Sequence, residues 1–428
     1  MLKNIIIKNF KGYQKQVLPL APLTLMIGAN ASGKSNALEA FRFLSWLAQG
    51  QKLSVLKHQV NDSDQLLRGQ LNDLSYLNQA AFTLGCDTDD QDWNHFEIAI
   101  GIREQELHIT QEKILGTSNV PLYQIKQAAQ GLNSDVSVAY NNFSRGKNKP
   151  TITCTDQITI LNQLQTPAVF SSPRAQKEIP NTLKRFQSLL ENTLFLDPIP
   201  SLMRGDSFED STLKNDCSNL SGVLYHLWQD DDCRPIILSF IKSLPEQDVI
   251  NIDFYKDRRN KISLELIESF GNKERKWSVE LLSDGTLRVL SIVAALLSAP
   301  KGATVVIEEV DNGIHPSRAK RLLQSMYKHA TRREIHLLLS THNPALMDAL
   351  PDEALGDVVF CYRDPKQGDS RLTRLADLFD YNSLILQGSL GELVTKGIVD
   401  RFIKSPITAK QKKQKALDWL AKIRADTE

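Results

Sequence analysis

Gly28-Ala29-Asn30-Ala31-Ser32-Gly33-Lys34-Ser35 is the stretch that decides how this chain folds. It fits G-x-x-x-x-G-K-[ST] at every fixed position. An apolar run, Leu23-Thr24-Leu25-Met26-Ile27, precedes it. A segment from about Lys34 to Leu47 follows, with Ala37, Leu38, Phe41, Leu44 and Leu47 at helical spacing. Strand, glycine loop and helix in that order make a cradle for phosphate. Glycines let successive backbone N–H groups curl around the anion without side-chain collision. The helix N-terminus adds its partial positive charge. Gly28, Asn30, Ser32, Gly33, Lys34, Ser35 and Asn36 are therefore candidate ATP ligands. Lys34 would reach the β- and γ-phosphates, and the Ser35 hydroxyl would ligate Mg²⁺. A glycine turn matching by accident is the competing reading, and the flanking strand and helix weigh against it.

Further along, Thr304-Val305-Val306-Ile307-Glu308-Glu309 is an apolar strand ending in two carboxylates. Glu308 is the candidate metal ligand and Glu309 the candidate base for the attacking water. Alternation along a strand would point the two acids to opposite sides. Taken alone, the pair reads equally well as a solvated strand end. Leu337-Leu338-Leu339-Ser340-Thr341-His342 repeats the strand-then-polar pattern about thirty residues later, and His342 stands where a γ-phosphate sensor would stand. Between loop and acids, Leu281-Leu282-Ser283-Asp284-Gly285-Thr286-Leu287-Arg288 opens an apolar helix reaching about Leu297, with Ser283 placed to cap it. By itself that stretch is only a capped helix.

The order of these motifs resembles the ABC ATPase heads of the SMC, RecF and OLD group, and within it the stand-alone, OLD-like AAA-type ATPases of bacterial phage-defence systems. The residues that carry the resemblance are Ile7-Lys8-Asn9-Phe10-Lys11, residues 28–36, 282–288 and 308–316, and Ser340-Thr341-His342-Asn343. Leu194-Phe195-Leu196-Asp197-Pro198-Ile199-Pro200 and Leu390-Gly391-Glu392-Leu393 are similar in a less specific way. Glu308 departs from the Asp that most P-loop proteins carry there, a mark shared with the OLD-like subgroup. The resemblance implies an α/β P-loop NTPase head with a mixed or parallel sheet core, an antiparallel β subdomain and a helical insertion. It implies ATP and Mg²⁺ as cofactors and a homodimer closed through the ATP sites, with higher assembly left open. In such a dimer Ser283 and Gly285 of one copy would cover the ATP held by the other, and Asp311 and Asn312 would cross the interface.

The rest of the chain bounds the reading. Its 428 residues suffice for one large or two ordinary domains. Apolar residues make up 41% and charged residues 24%, as in a globular protein in water. A formal net charge of +1 gives no global basicity, though a local basic face can hide in a neutral total. Five scattered cysteines without a C-x-x-C pair argue against zinc and against a disulfide framework. No stretch approaches the roughly 20 apolar residues of a membrane span, and the start lacks a signal-peptide core, so a cytoplasmic location is expected.

Residues 1–115 are expected to form an N-terminal lobe with the phosphate loop. Its strand-like meander would run from Ala81 to Gln111. Residues 116–245 should be an insertion, loop-rich with some helix from Gly116 to Arg185 and helical from Ser218 to Leu244. Residues 246–403 should form the lobe carrying Ser283, the acids and His342. Residues 404–428 read as a basic amphipathic helix, packed on its own domain in preference to contact with a partner or DNA. Only 255 residues separate Gly28 from Ser283, too few for a long coiled-coil arm. The 86 residues after His342 are short for an appended nuclease domain.

Three functions stay open. One is an ATP-driven regulator of a separately encoded nuclease or toxin. Another is a RecF-like repair ATPase clamping DNA. The third is an assembly scaffold that binds ATP with little turnover.

Overall fold

The computed structural model describes residues 1–56, 66–103, 105–117, 120–130, 133–146, 148–242, 249–270, 273–312 and 316–404. From the N-terminus, β1 (Leu2–Phe10) and β2 (Tyr13–Pro19) pair as a hairpin, and β3 (Leu23–Ile27) leaves for a second sheet. There it leads through the glycine loop into α1 (Lys34–Ala48). The helix stops at Gly50, which takes a left-handed φ of 73° and donates its N–H back to Leu47 O.

The hairpin belongs to an antiparallel sheet of eight strands. Its other members are β4 (Ala81–Thr88), β5 (Trp93–Arg103), β6 (Glu106–Gly116), β7 (Pro121–Gln127), β8 (Asp135–Tyr140) and β9 (Thr151–Thr155), in the order β2-β1-β4-β5-β6-β7-β8-β9. The meander expected to end near Gln111 thus continues through three more strands. The loop-rich reading of 116–185 is corrected, and the sheet crosses the boundary drawn at 115. Alternation is confined to the start of β8 and absent from β7, which hid both strands in a Gln- and Ser-rich composition.

Glu112 on β6 anchors this region from within. Its fully buried carboxylate accepts from Ile160 N (2.8 Å), Leu161 N (2.8 Å) and Tyr123 Oη (2.6 Å), capping the short helical turn Ile160–Gln163. Burial pushes its pKa up to about 7 against the pull of those three donors. α2 (Pro173–Glu191) follows, started by Ser172, whose Oγ accepts from Ala175 N.

The second sheet adds β10 (Thr193–Leu196). A smaller antiparallel unit comes next: β11 (Ser207–Phe208), α3 (Leu220–Trp228), α4 (Cys233–Ile241), β12 (Val249–Lys256), β13 (Lys261–Phe270) and β14 (Lys273–Ser278). The helical segment expected from Ser218 to Leu244 is present as two helices. Asp230-Asp231-Asp232 breaks it, with Asp230 Oδ1 accepting from Asp232 N in a turn of its own. The chain then alternates as a parallel sheet requires: α5 (Asp284–Ser298), β15 (Thr304–Ile307), α6 (Pro316–Arg333), β16 (His336–Ser340), α7 (Pro344–Asp348), β17 (Val359–Arg363) and β18 (Ser370–Arg374). α8 (Leu390–Thr395) and α9 (Ile398–Lys404) finish the described chain. The basic tail read for 404–428 falls, apart from Lys404, outside the described residues.

Six strands run β10-β15-β16-β3-β17-β18, all parallel except the last pair. The inner strands β15, β16 and β3 are buried on both faces and mostly apolar, and their residues divide by parity. Leu23, Leu25, Ile27, Val305, Ile307, Leu337 and Leu339 enter one core with α5. Met26, Val306 and Leu338 enter the other, with α1 and the eight-stranded sheet. α1 lies in that second core, between the two sheets. Its Phe41 is fully buried, edge-on to Phe195 at 5.5 Å, a burial that stabilises by about 2–3 kcal/mol.

Candidate functional site

The phosphate loop is shaped by three residues in the left-handed region: Gly28 (φ 143°), Ala31 (φ 61°) and Gly33 (φ 117°). Space as well as conformation demands the glycines. A Cβ on Gly28 would stand 2.2 Å from the Cys361 carbonyl oxygen, and one on Gly33 would stand 2.7 Å from Ser370 Oγ and 2.8 Å from Tyr13 Oη. The same neighbours hold the loop. The Tyr13 hydroxyl donates to Gly33 O at 2.9 Å, and Arg363 Nε donates to Ala31 O at 3.1 Å. Tyr13, Cys361, Arg363 and Ser370 are functional supports that sequence reading missed. They lie on β2, β17 and β18, the last three of them more than 300 residues from the loop, and no local pattern marks them. The Cys361 thiol is fully buried and pushed up to about 12 by that burial, which keeps it an inert thiol under the loop.

Lys34 Nζ donates to Gly28 O (2.6 Å) and Ala29 O (3.1 Å), folded over the loop it would serve. Ser32 Oγ is buried with no hydrogen-bond partner. An orphaned hydroxyl, a glycine cradle and an ammonium at its rim fit a polyphosphate. Asn30 is exposed, and Asn36 is half-buried on the first turn of α1.

The strand register brings the remaining groups to this edge. Ile307 pairs with Leu339, and Ser340 with Met26, so β15, β16 and β3 end together at their C-terminal ends, where ligands of open parallel sheets bind. The Ser35 hydroxyl donates to Glu308 Oε1 at 2.5 Å. Two hard oxygen donors converge there, a fit to Mg²⁺. Glu309 points elsewhere: its Oε2 accepts from Asn312 Nδ2 at 3.0 Å, and its N–H donates to Ser340 Oγ at 3.0 Å. The expected divergence of the acids holds, but its cause is different. The strand has ended at Ile307, and a left-handed φ of 50° at Glu309 turns the side chains apart. His342 lies two residues beyond the end of β16 and is exposed.

A cavity of about 180 Å³ opens beside Ser35 and Glu308, and Glu39, Arg42, Arg68 and Asp197 line it. Ser35, Glu39 and Arg42 share one face of α1 by helical spacing. Leu196 pairs with Ile307, which sets Asp197 next to Glu308. Glu39, though buried, accepts from Lys11 Nζ (2.5 Å) and Arg68 N (2.5 Å), and desolvation lowers the Lys11 pKa despite this pairing.

Ser283 and Gly285 stand at the start of α5. Ser283 Oγ accepts from Thr286 N at 3.1 Å as the expected cap, and Arg204 Nη2 donates to Asp284 Oδ1 at 2.5 Å. Ser283 is exposed and Gly285 half-exposed, with Leu281 beside them 70% exposed.

A glycine phosphate loop opening α1, an acid pair just past the end of parallel strand β15 and a capped Ser-x-Gly helix define an ABC-like ATPase head of the SMC/RecF group. The chain belongs to the family described as "AAA domain, putative AbiEii toxin, Type IV TA system", matched over residues 23–97 and 147–348. It is similar to a Helicobacter pylori protein named ATP/GTP phosphatase, 21% identical over 85% of this chain and 90% of the relative. Over 72 residues it is 40% identical to the DNA replication and repair protein RecF of a Cyanothece species, covering 17% of each chain. A solved SMC head bound to the C-winged helix domain of ScpA aligns with 87% of this chain and 96% of its own, at 13% identity and a TM-score of 0.48. Among the described residues no helix is long and apolar enough to cross a membrane.

Proposed function

We propose that this ATPase closes on a second copy of itself around ATP and Mg²⁺, and that closure regulates a separately encoded nuclease or toxin in anti-phage defence. The observation that carries the proposal is the capped N-terminus of α5, where Ser283 is exposed, Gly285 is half-exposed and Leu281 beside them is open to solvent; first-turn N–H groups of a helix lack intrahelical partners and suit an anion. In this reading Gly28, Asn30, Ser32, Gly33, Lys34, Ser35 and Asn36 hold the triphosphate. Ser35 and Glu308 hold Mg²⁺, which offsets charge on the phosphates. Glu309 takes the proton of the attacking water, with Asn312 orienting its carboxylate, and His342 acts at the γ-phosphate. Ser283 and Gly285 of the partner copy complete the site. The family's description names a putative toxin of a Type IV TA system, which links the family to toxin systems. All five cysteines are free and buried, which suits the cytoplasm.

Sedimentation with and without ATP tests the pairing. ATP should convert monomer to dimer, and ADP should not. A chain that stays monomeric at saturating ATP while turning over normally ends the proposal. The effector half is tested by co-purification with the products of adjacent genes. Recovery of a partner only in one nucleotide state is the expected result.

One observation favours a second reading, a clamp on duplex DNA. α6 carries six Arg and Lys in 18 residues and no carboxylate. By helical geometry Arg318, Arg321, Lys328 and Arg332 fall within about a quarter of its circumference. If DNA lies along this stripe, exchanging two of the four for Glu should weaken duplex binding at least ~10-fold and flatten its dependence on salt. Unchanged DNA affinity in that variant would exclude the stripe.

A further inference from the structure

The family match ends at residue 348, yet the chain beyond it is tied to the catalytic edge. α8 packs on α7 with no space between the backbones. A Cβ on Gly391 would lie 2.3 Å from the Pro344 carbonyl oxygen and 2.8 Å from its carbon. Gly391 is buried, and its φ lies outside the left-handed region, so glycine is required here for closeness rather than for conformation. Its N–H donates to Asp348 Oδ1 at 2.6 Å, which fixes α8 to the last residue of α7.

α7 in turn begins two residues after His342. Asn343 caps it, Oδ1 accepting from Ala345 N at 3.0 Å, and the Asn343 N–H donates to Thr341 Oγ1 at 3.0 Å. The Thr341 hydroxyl donates to Asp311 Oδ1 at 2.5 Å, in the acid turn where Asn312 holds Glu309. His342 is thus exposed between two anchored neighbours, and its place is set by where α7 sits. We infer that Gly391 and Asp348 are positioning residues for His342: the α8–α7 contact holds the histidine at its working distance from the γ-phosphate. This rests on the role proposed for His342.

The contact can be tested because Asp348 is exposed; Asp348→Ala takes the acceptor from the Gly391 N–H, and Asp348→Asn keeps one. Steady-state ATP turnover, fluorescent-nucleotide affinity and thermal melting would be measured for Asp348→Ala, Asp348→Asn, Gly391→Ala, His342→Ala and the Asp348→Ala/His342→Ala double variant. Asp348→Ala and Gly391→Ala should each lower kcat about tenfold, since small misplacements of a reacting group are costly, with ATP affinity held within about twofold. Asp348→Asn keeps an acceptor oxygen and should recover most of the turnover. The double variant should be no slower than His342→Ala alone, because Asp348 acts through that side chain. Normal turnover in His342→Ala would remove the histidine's role and the inference with it. A slow His342→Ala beside a normal Asp348→Ala would overturn the inference alone. So would additive losses in the double variant, or a fall in affinity that Asp348→Asn fails to rescue.

Discussion

Glu309→Gln should bind ATP as tightly as the wild-type chain and hydrolyse it at least ~100-fold more slowly, because removing a general base typically costs 10²–10⁴. The amide keeps an oxygen to accept from Asn312 Nδ2, so the turn that begins at the left-handed Glu309 should survive the change. With ATP held and not cleaved, the closed pair should accumulate and be visible by sedimentation. Glu308→Gln should behave differently. It weakens the oxygen pair with Ser35 and should show itself as a raised Mg²⁺ requirement. If Glu308→Gln stops hydrolysis with binding intact while Glu309→Gln does not, the roles of the two acids are exchanged. Full turnover in neither wild type nor variant, with ATP bound in both, would favour the scaffold reading.

The second large effect concerns a site shared between two chains. Lys34→Ala removes the ammonium at the rim of the phosphate cradle and should abolish ATP binding or weaken it greatly. Ser283→Arg should leave folding and first binding nearly intact, since Ser283 is exposed and contributes only a helix cap worth about 1 kcal/mol. Its bulk and charge should nevertheless block closure and turnover. Mixing the two inactive proteins gives dimers with one intact composite site and one carrying both lesions. Turnover should return to about half of wild type per mixed dimer, one live site of two. Crosslinking across the interface would follow closure independently, in case the two sites are strictly coupled. Normal hydrolysis by Ser283→Arg alone would end the composite-site proposal, as would turnover per chain that stays constant on dilution below measurable dimerisation.

What the sequence made legible follows from distance along the chain. The phosphate loop is local: its glycines, lysine and serine lie within eight residues, and each is needed for backbone conformation or for charge. The identities of the acids were legible for the same reason. Their divergence was expected from strand alternation, whereas the structure obtains it from the left-handed Glu309, a conformation that nothing in a Glu-Glu pair announces. Tyr13, Arg363 and Ser370 touch the loop only because β2, β17 and β18 are brought beside it, and such contacts leave no periodicity to read. β7, β8 and β9 were read as loop because Gln, Ser, Thr and Lys are interleaved with their apolar residues. Composition then outweighed alternation in short strands. The cavity beside Ser35 needed two things at once, the face of α1 and the register of β10 on β15.

The place of β3 in its sheet bears on how the protein is made. β3 is among the first segments to leave the ribosome, yet its partners are β16 and β17, which begin at residues 336 and 359. At about 5–20 residues per second the strand waits roughly 15–70 seconds with both edges unpaired. During that interval Tyr13 is the one of the loop's supports named above that already exists, because Cys361, Arg363 and Ser370 have not yet been synthesised. A chain whose synthesis has paused before residue 359 therefore carries the loop residues Gly28 to Asn36 without β17 and β18 beneath them.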